Sequence, residues 1–115
     1  MWLIGSGSMT HNLHEFFTEH PAQDAAPADY VIAFARWVEQ RLLAHEREAL
    51  LHYRERAPHA ARAHPTDEHF LPLFFALGAA GWGQPGSPEA APVQPQYLTR
   101  EVMHRYLAMD ALVLG

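Results

Sequence analysis

Apolar residues are grouped along this chain in runs whose spacing changes from one stretch to the next. Trp2-Leu3-Ile4 is a short apolar run cut off by Gly5-Ser6-Gly7-Ser8, the pattern of a buried strand that ends in a loop. From Pro27 the spacing becomes helical: Val31, Phe34, Val38 and Leu42 share one face, Arg36, Glu39 and Gln40 lie off it, and Pro27 suits a first turn. Glu46 to Arg56 predicts a second, more exposed helix, with Leu50 and Leu51 apolar, Glu48 and His52 one turn apart, and Pro58 beyond its end. A third helix is expected from about Asp67 or Leu71 to Ala80, closed by Gly81 as C-cap. Leu71, Leu73, Phe74, Phe75 and Leu77 make it apolar nearly all round, which predicts burial. Gly83 to Pro95 is dense in Gly and Pro and predicts a surface excursion. Tyr106 to Leu114 predicts a strand with Leu107, Met109, Ala111 and Val113 on one face, paired with Leu98 to Met103. Strand, helices and strand in this order indicate an α/β layer protein, and no internal repeat is visible.

Composition narrows the partners. The 115 residues suit one small domain or part of a larger one, and 49% hydrophobic with 18% charged residues is ordinary for a folded soluble protein. All eight basic residues are arginine, and the net charge of -5 is spread along the chain. With no basic stripe to hold phosphates, nucleic acid is not an expected partner. There is no cysteine, which excludes thiolate nucleophiles and zinc-ribbon sites and leaves nitrogen and oxygen as the donors for any metal. The opening run lacks a basic segment ahead of it, and the apolar stretch from Phe70 to Ala80 is far short of the ~20 residues of a membrane span. A cytoplasmic protein without a membrane partner is the expectation.

Two histidines stand where the chain enters or leaves regular structure. His11 follows the apolar run and the glycine-rich loop; in an open α/β sheet that is the rim where ligands bind, although spacing alone rather favours a loop that merely turns the chain and a surface histidine. His69 lies at or just before the third helix, with Thr66 as candidate N-cap and Pro72 tolerable in the first turn. The positive end of a helix disfavours imidazolium, so His69 is expected to keep the lone pair a metal needs; the alternative is a histidine that merely covers the core. His64 and His69 do not have zincin spacing, and Pro65 takes His64 off the helix. No histidine pair has familiar zinc spacing. Asp67 and Glu68 suit the first turn of a helix as dipole partners.

Gly5-Ser-Gly-Ser-Met-Thr-His11-Asn-Leu13, the Phe34-Ala-Arg-Trp37 helix, and His64-Pro-Thr-Asp-Glu-His69-Phe-Leu-Pro-Leu73 through Gly78-Ala-Ala80 together resemble the class III extradiol ring-cleavage dioxygenases, in the branch similar to 4,5-DOPA extradiol dioxygenase. The resemblance implies a layered αβα fold with a central mixed sheet, of which residues 1–115 are the C-terminal part. It implies that His11 is the acid/base beside the metal and His69 a metal ligand, while His64 has no role in the pattern. The two further histidine ligands of such enzymes lie in loops of the N-terminal half and have no counterpart here. The implied cofactor is Fe(II), with Zn(II) able to take the same site, and the implied reactants are a catecholic small molecule and O2. An Fe(II) with three protein ligands keeps open positions where catechol oxygens and O2 bind side by side. A neutral imidazole nearby can take and return a proton. Because one ligand does not retain Fe(II) against water, the competing expectation is an incomplete or split subunit that acts only by association, as a homo-oligomer or with a missing N-terminal part.

Overall fold

A computed structural model describes residues 2–83 and 93–115 of the chain. The fold is α/β: among the described residues six helical segments come first and four short strands follow, in two separate antiparallel pairs. The helices are α1 (Leu13–Glu19), α2 (Asp29–Leu43), α3 (Arg47–Leu51), α4 (Tyr53–Arg56), α5 (Ala60–Ala63) and α6 (Leu71–Ala80). The strands are β1 (Pro95–Thr99), β2 (Val102–Met103), β3 (Leu107–Ala108) and β4 (Ala111–Leu114).

Helix α2 forms as its periodicity predicts, and it is the spine of the core. Tyr30, Val31, Phe34, Val38 and Leu42 are its buried residues. Fully burying an aliphatic or aromatic side chain of this kind contributes about 1.5–3 kcal/mol, so this one stripe anchors the helix. Phe34 meets the rings of Tyr53, His64 and Phe70 edge-on, at centroid distances of 6.3, 5.6 and 5.5 Å. One aromatic cluster thereby ties α2 to α4 and to the segment entering α6.

The stretch expected as one helix from Glu46 to Arg56 is broken at His52, whose φ of -99° and ψ of 31° end α3 and start α4. The break turns Leu50 and Tyr53 both into the core while Leu51 stays exposed. Helix α1 was not expected from apolar periodicity, and none of its residues is buried. It is set by its cap: the Asn12 side chain accepts from the Glu15 backbone N–H at 3.0 Å. The sequence signal was present in the Asn12 to Glu15 spacing.

Several expectations need correction. Trp2-Leu3-Ile4 is not a strand and is not buried, since among the described residues no neighbouring backbone pairs with it; Trp2 is 86% and Ile4 81% exposed. Helix α6 ends at Gly81 in the left-handed conformation, as predicted, but only Leu77 of it is buried and Phe75 is 57% exposed. Thr66 does not cap it, because its hydroxyl donates to Glu68 instead. At the C-terminal end the alternation is reversed: Ala108, Leu112 and Leu114 pack on the core, whereas Met109 and Val113 face outward. The predicted pairing divides into two ladders, β1 with β4 (Pro95 opposite Leu114) and β2 with β3 (Val102 opposite Ala108). His104 and Arg105, both at positive φ, turn the chain between β2 and β3. The expected excursion from Gly83 to Pro95 falls mostly on residues 84–92, outside the described residues.

Gly5 and Gly7 are required by close approach. A Cβ on Gly5 would run into the Pro72 carbonyl, and one on Gly7 into the carbonyl of His69. Gly7→Ala is therefore expected to destabilise the fold by about 1–3 kcal/mol, read as a lower urea midpoint at unchanged slope.

One buried and one half-buried group give stability a pH signature. Burial holds the His64 imidazole down at about 4, against an ordinary 6.5. The unfolded chain binds the extra proton between these values, so this contribution is complete above about pH 6.5 and lost as pH falls towards 4. Burial, then the nearby Glu39 carboxylate, pushes Asp110 up to about 6 from an ordinary 3.8. Here the folded chain binds the extra proton, so stability increases as pH falls through 6. The two slopes oppose each other in the wild type. In Asp110→Asn the His64 slope is unmasked, and unfolding free energy measured in urea should drop by on the order of 3 kcal/mol between pH 6.5 and 4.

Candidate functional site

The site begins with residues 8–12, an extended strap that threads between two other parts of the chain and is hydrogen-bonded to both. On one side the Met9 N–H donates to the Ala108 carbonyl at 2.9 Å. The Thr10 hydroxyl donates to the Tyr106 carbonyl and accepts from the Ala108 N–H, both at 2.8 Å. On the other side the Ser8 N–H donates to His69 O at 3.0 Å and the His11 N–H to Ala63 O at 2.8 Å. The Asn12 side-chain amide donates to Arg62 O at 2.8 Å. Ser8, Met9, Thr10 and Asn12 are all buried, so each polar group among them needs these partners, and most of them are backbone groups distant in sequence.

This strap delivers His11 onto His69. The two rings lie face to face with centroids 3.6 Å apart and planes inclined by 12°. Both predicted site residues are therefore brought together although 58 positions separate them in the sequence. Burial, and next the neighbouring His69, hold the His11 imidazole below its ordinary value, which keeps it neutral at pH 7. His69 precedes α6 and is about half-exposed, with the Glu68 carboxylate 3.8 Å from its Nδ1. It lines an open groove of about 660 Å³ between residues 2–9, α6 and β4. Leu73, Ala76, Leu112 and Leu114 make much of that groove apolar, and Asp110 is its acidic member. His11 stands behind His69 and does not itself line the groove.

Among the described residues no three histidine or carboxylate side chains converge as a metal-binding group. The other histidines do local work. His45 Nε2 lies 2.6 Å from Val93 O, His104 Nδ1 lies 3.1 Å from Pro21 O, and His20 closes α1 in the left-handed conformation. Sequence reasoning missed how much of the site's framework rests on Thr10, Asn12 and His64. Of these only Asn12 had a local signal, its capping spacing; the others act through partners far along the chain.

A family model described as the catalytic LigB subunit of aromatic ring-opening dioxygenase matches residues 1–103. The chain is 40% identical over 79 residues to 4,5-DOPA dioxygenase extradiol of Beta vulgaris, covering 69% of this chain and 28% of that protein. The proteins of the same name in Mirabilis jalapa and Portulaca grandiflora are 38% and 39% identical over the same length, again with 28% of each covered. The chain thus spans little more than a quarter of these relatives. A family match over nearly all of its length shows that the chain belongs to the family of the catalytic LigB subunit of aromatic ring-opening dioxygenases.

Proposed function

We propose that residues 1–115 are the C-terminal part of a single extradiol dioxygenase catalytic domain, acting in aromatic compound catabolism in the cytoplasm. In this reading the enzyme depends on non-haem Fe(II) and opens the ring of a catecholic substrate, incorporating both atoms of O2. His69 supplies a nitrogen to the metal, and His11 exchanges protons with the substrate. The observation that carries the reading is the 3.6 Å stacking of these two imidazoles, of which His69 lines the groove. The relatives, each named 4,5-DOPA dioxygenase extradiol, support the reaction class.

The donors of this chain do not by themselves fit an iron ion. One exposed imidazole with a solvated carboxylate nearby does not hold Fe(II) against water, and no third donor joins them among the described residues. The remaining ligands come, in this reading, from two histidines that this chain does not carry. Zn(II) suits the same imidazole donors. What this chain contributes is orientation and a proton acceptor: in this reading His11, neutral at pH 7 and stacked on His69 just behind the groove, serves as the base for a catechol hydroxyl, and the apolar groove wall suits an aromatic ring.

A second reading, association with another chain, is favoured by one observation. Trp2, Leu3 and Ile4 are exposed, as are Leu71 and Phe75 of α6 and Val113 of β4, so several large apolar side chains are left largely uncovered among the described residues. Among the described residues no helix is long and apolar enough to cross a membrane.

Fe(II) added to the 115-residue chain alone should give no oxygen-electrode signal with catechol, whereas the chain assembled with a polypeptide supplying the N-terminal part of a family domain should consume oxygen. In that assembly His69→Ala should abolish iron retention, and His11→Gln should lower turnover by about 10²–10⁴ with iron content unchanged. Oxygen uptake indifferent to both substitutions would sink the assignment. For the second reading, light scattering should give the isolated chain a mass well above 13.0 kDa, and Ile4→Glu should return it towards the monomer.

A further inference from the structure

The strap that carries His11 and the turn that carries His69 are joined by a third histidine to which neither the sequence pattern nor the proposed reaction gives a task. His64 has no solvent exposure. Its Nε2 lies 2.7 Å from the carbonyl oxygen of Met9. Its ring stacks on Phe70, the residue after His69, at 4.7 Å and 30°, and Phe34 closes over it edge-on. We propose that His64 is a positioning residue that locks the Met9 carbonyl to the 63–70 segment and thereby sets the face-to-face spacing of His11 and His69.

Chain geometry explains why a side chain is needed there. Residues 8–12 and 62–69 run in opposite directions: Ser8 bonds to His69, His11 to Ala63, and the Asn12 side chain to Arg62. With the His11 N–H on Ala63 O, the antiparallel ladder would take its next bond from the backbone N–H of residue 65 to Met9 O. Residue 65 is proline and has no N–H. The imidazole of His64 supplies the missing donor from the adjacent position.

That assignment fixes the tautomer. A carbonyl only accepts, so the Nε2 of His64 carries the proton and Nδ1 bears a lone pair. Nδ1 is buried and has no hydrogen-bond partner among the described residues. An apolar side chain of the same size would avoid that unpartnered nitrogen, so what histidine brings to this position is the bond to Met9. Met9 is thereby pinned at both ends, its N–H on Ala108 and its carbonyl on His64, two residues before His11. On its other face the ring of His64 bears on Phe70, so one side chain touches both arms of the histidine pair.

The use of that spacing in catalysis rests on the function proposed above, but the spacing itself does not, so the experiment involves neither metal nor substrate. In the ¹⁵N-labelled 115-residue chain, long-range ¹H–¹⁵N spectra should show His64 as the Nε2–H tautomer with a proton protected from exchange. A cross-peak between ring protons of His11 and His69 should report their stacking. His64→Gln, whose side-chain amide can place a donor near the same point, should keep that cross-peak. His64→Leu, apolar and without a donor, should lose it while the far-ultraviolet dichroism stays that of the folded chain. The proposal is overturned by a Nδ1–H tautomer at His64, by loss of the cross-peak in His64→Gln, or by a folded His64→Leu that keeps it at wild-type intensity. Should the leucine variant not fold, the tautomer and the glutamine variant still decide. Absent oxygen uptake in the assembly with the N-terminal polypeptide would count against the dioxygenase reading alone, and a lost cross-peak in His64→Gln against the role of His64 alone.

Discussion

The arrangement of the molecule depends on five residues, Ser8 to Asn12, being hydrogen-bonded along both edges at once. One edge is held by the C-terminal Tyr106 to Ala108, the other by Arg62 to His69. A strap buried in this way has no water to satisfy its polar groups, so every N–H and C=O along it needs a partner in the chain. Thr10 illustrates the consequence. Its hydroxyl is both donor and acceptor, bridging Tyr106 O and Ala108 N where a backbone ladder is interrupted. The same constraint delivers His11 to His69, because the bonds flanking His11 leave its ring little choice of direction.

Glycine and aromatic residues complete the constraint from two sides. Gly5 and Gly7 let the strap's entry lie directly against the backbone at Pro72 and His69, a distance that any Cβ would widen. Beneath, the cluster of Phe34, Tyr53, His64 and Phe70 fixes where α6 begins. The imidazole pair is therefore held by backbone above and packed rings below, and it is placed by the rigid parts of the fold although both of its members lie on irregular chain.

The outward side of α6 shows how a sequence pattern can be read correctly and still predict the wrong environment. Leu71, Leu73, Phe74, Phe75 and Leu77 do form an apolar helix, and Phe74 and Leu77 turn inward to Tyr53 and the core. Leu71 and Phe75 instead line open space, as do Trp2 and Ile4. Apolar periodicity reports that a face is suited to contact. It does not say that the contact lies within the same 115 residues. The α2 stripe of Val31, Phe34, Val38 and Leu42 was legible for the opposite reason: one helix, one face and a core immediately beneath it.

By itself the sequence determined the local features: the helical stripe of α2, the glycine stop of α6, the α/β class, and the two histidine motifs that resemble those of ring-cleavage dioxygenases. Each is encoded within a few residues, by spacing, by a cap or by a motif. Only the tertiary structure decided that His52 breaks a helix, that Ala108, Leu112 and Leu114 rather than their neighbours face the core, and that His64 stands in for the N–H that Pro65 lacks. It alone decided that His11 and His69 touch. Contacts of this kind depend on hydrogen bonds and packing between segments dozens of residues apart, and no local pattern in a chain specifies which distant carbonyl will meet which donor.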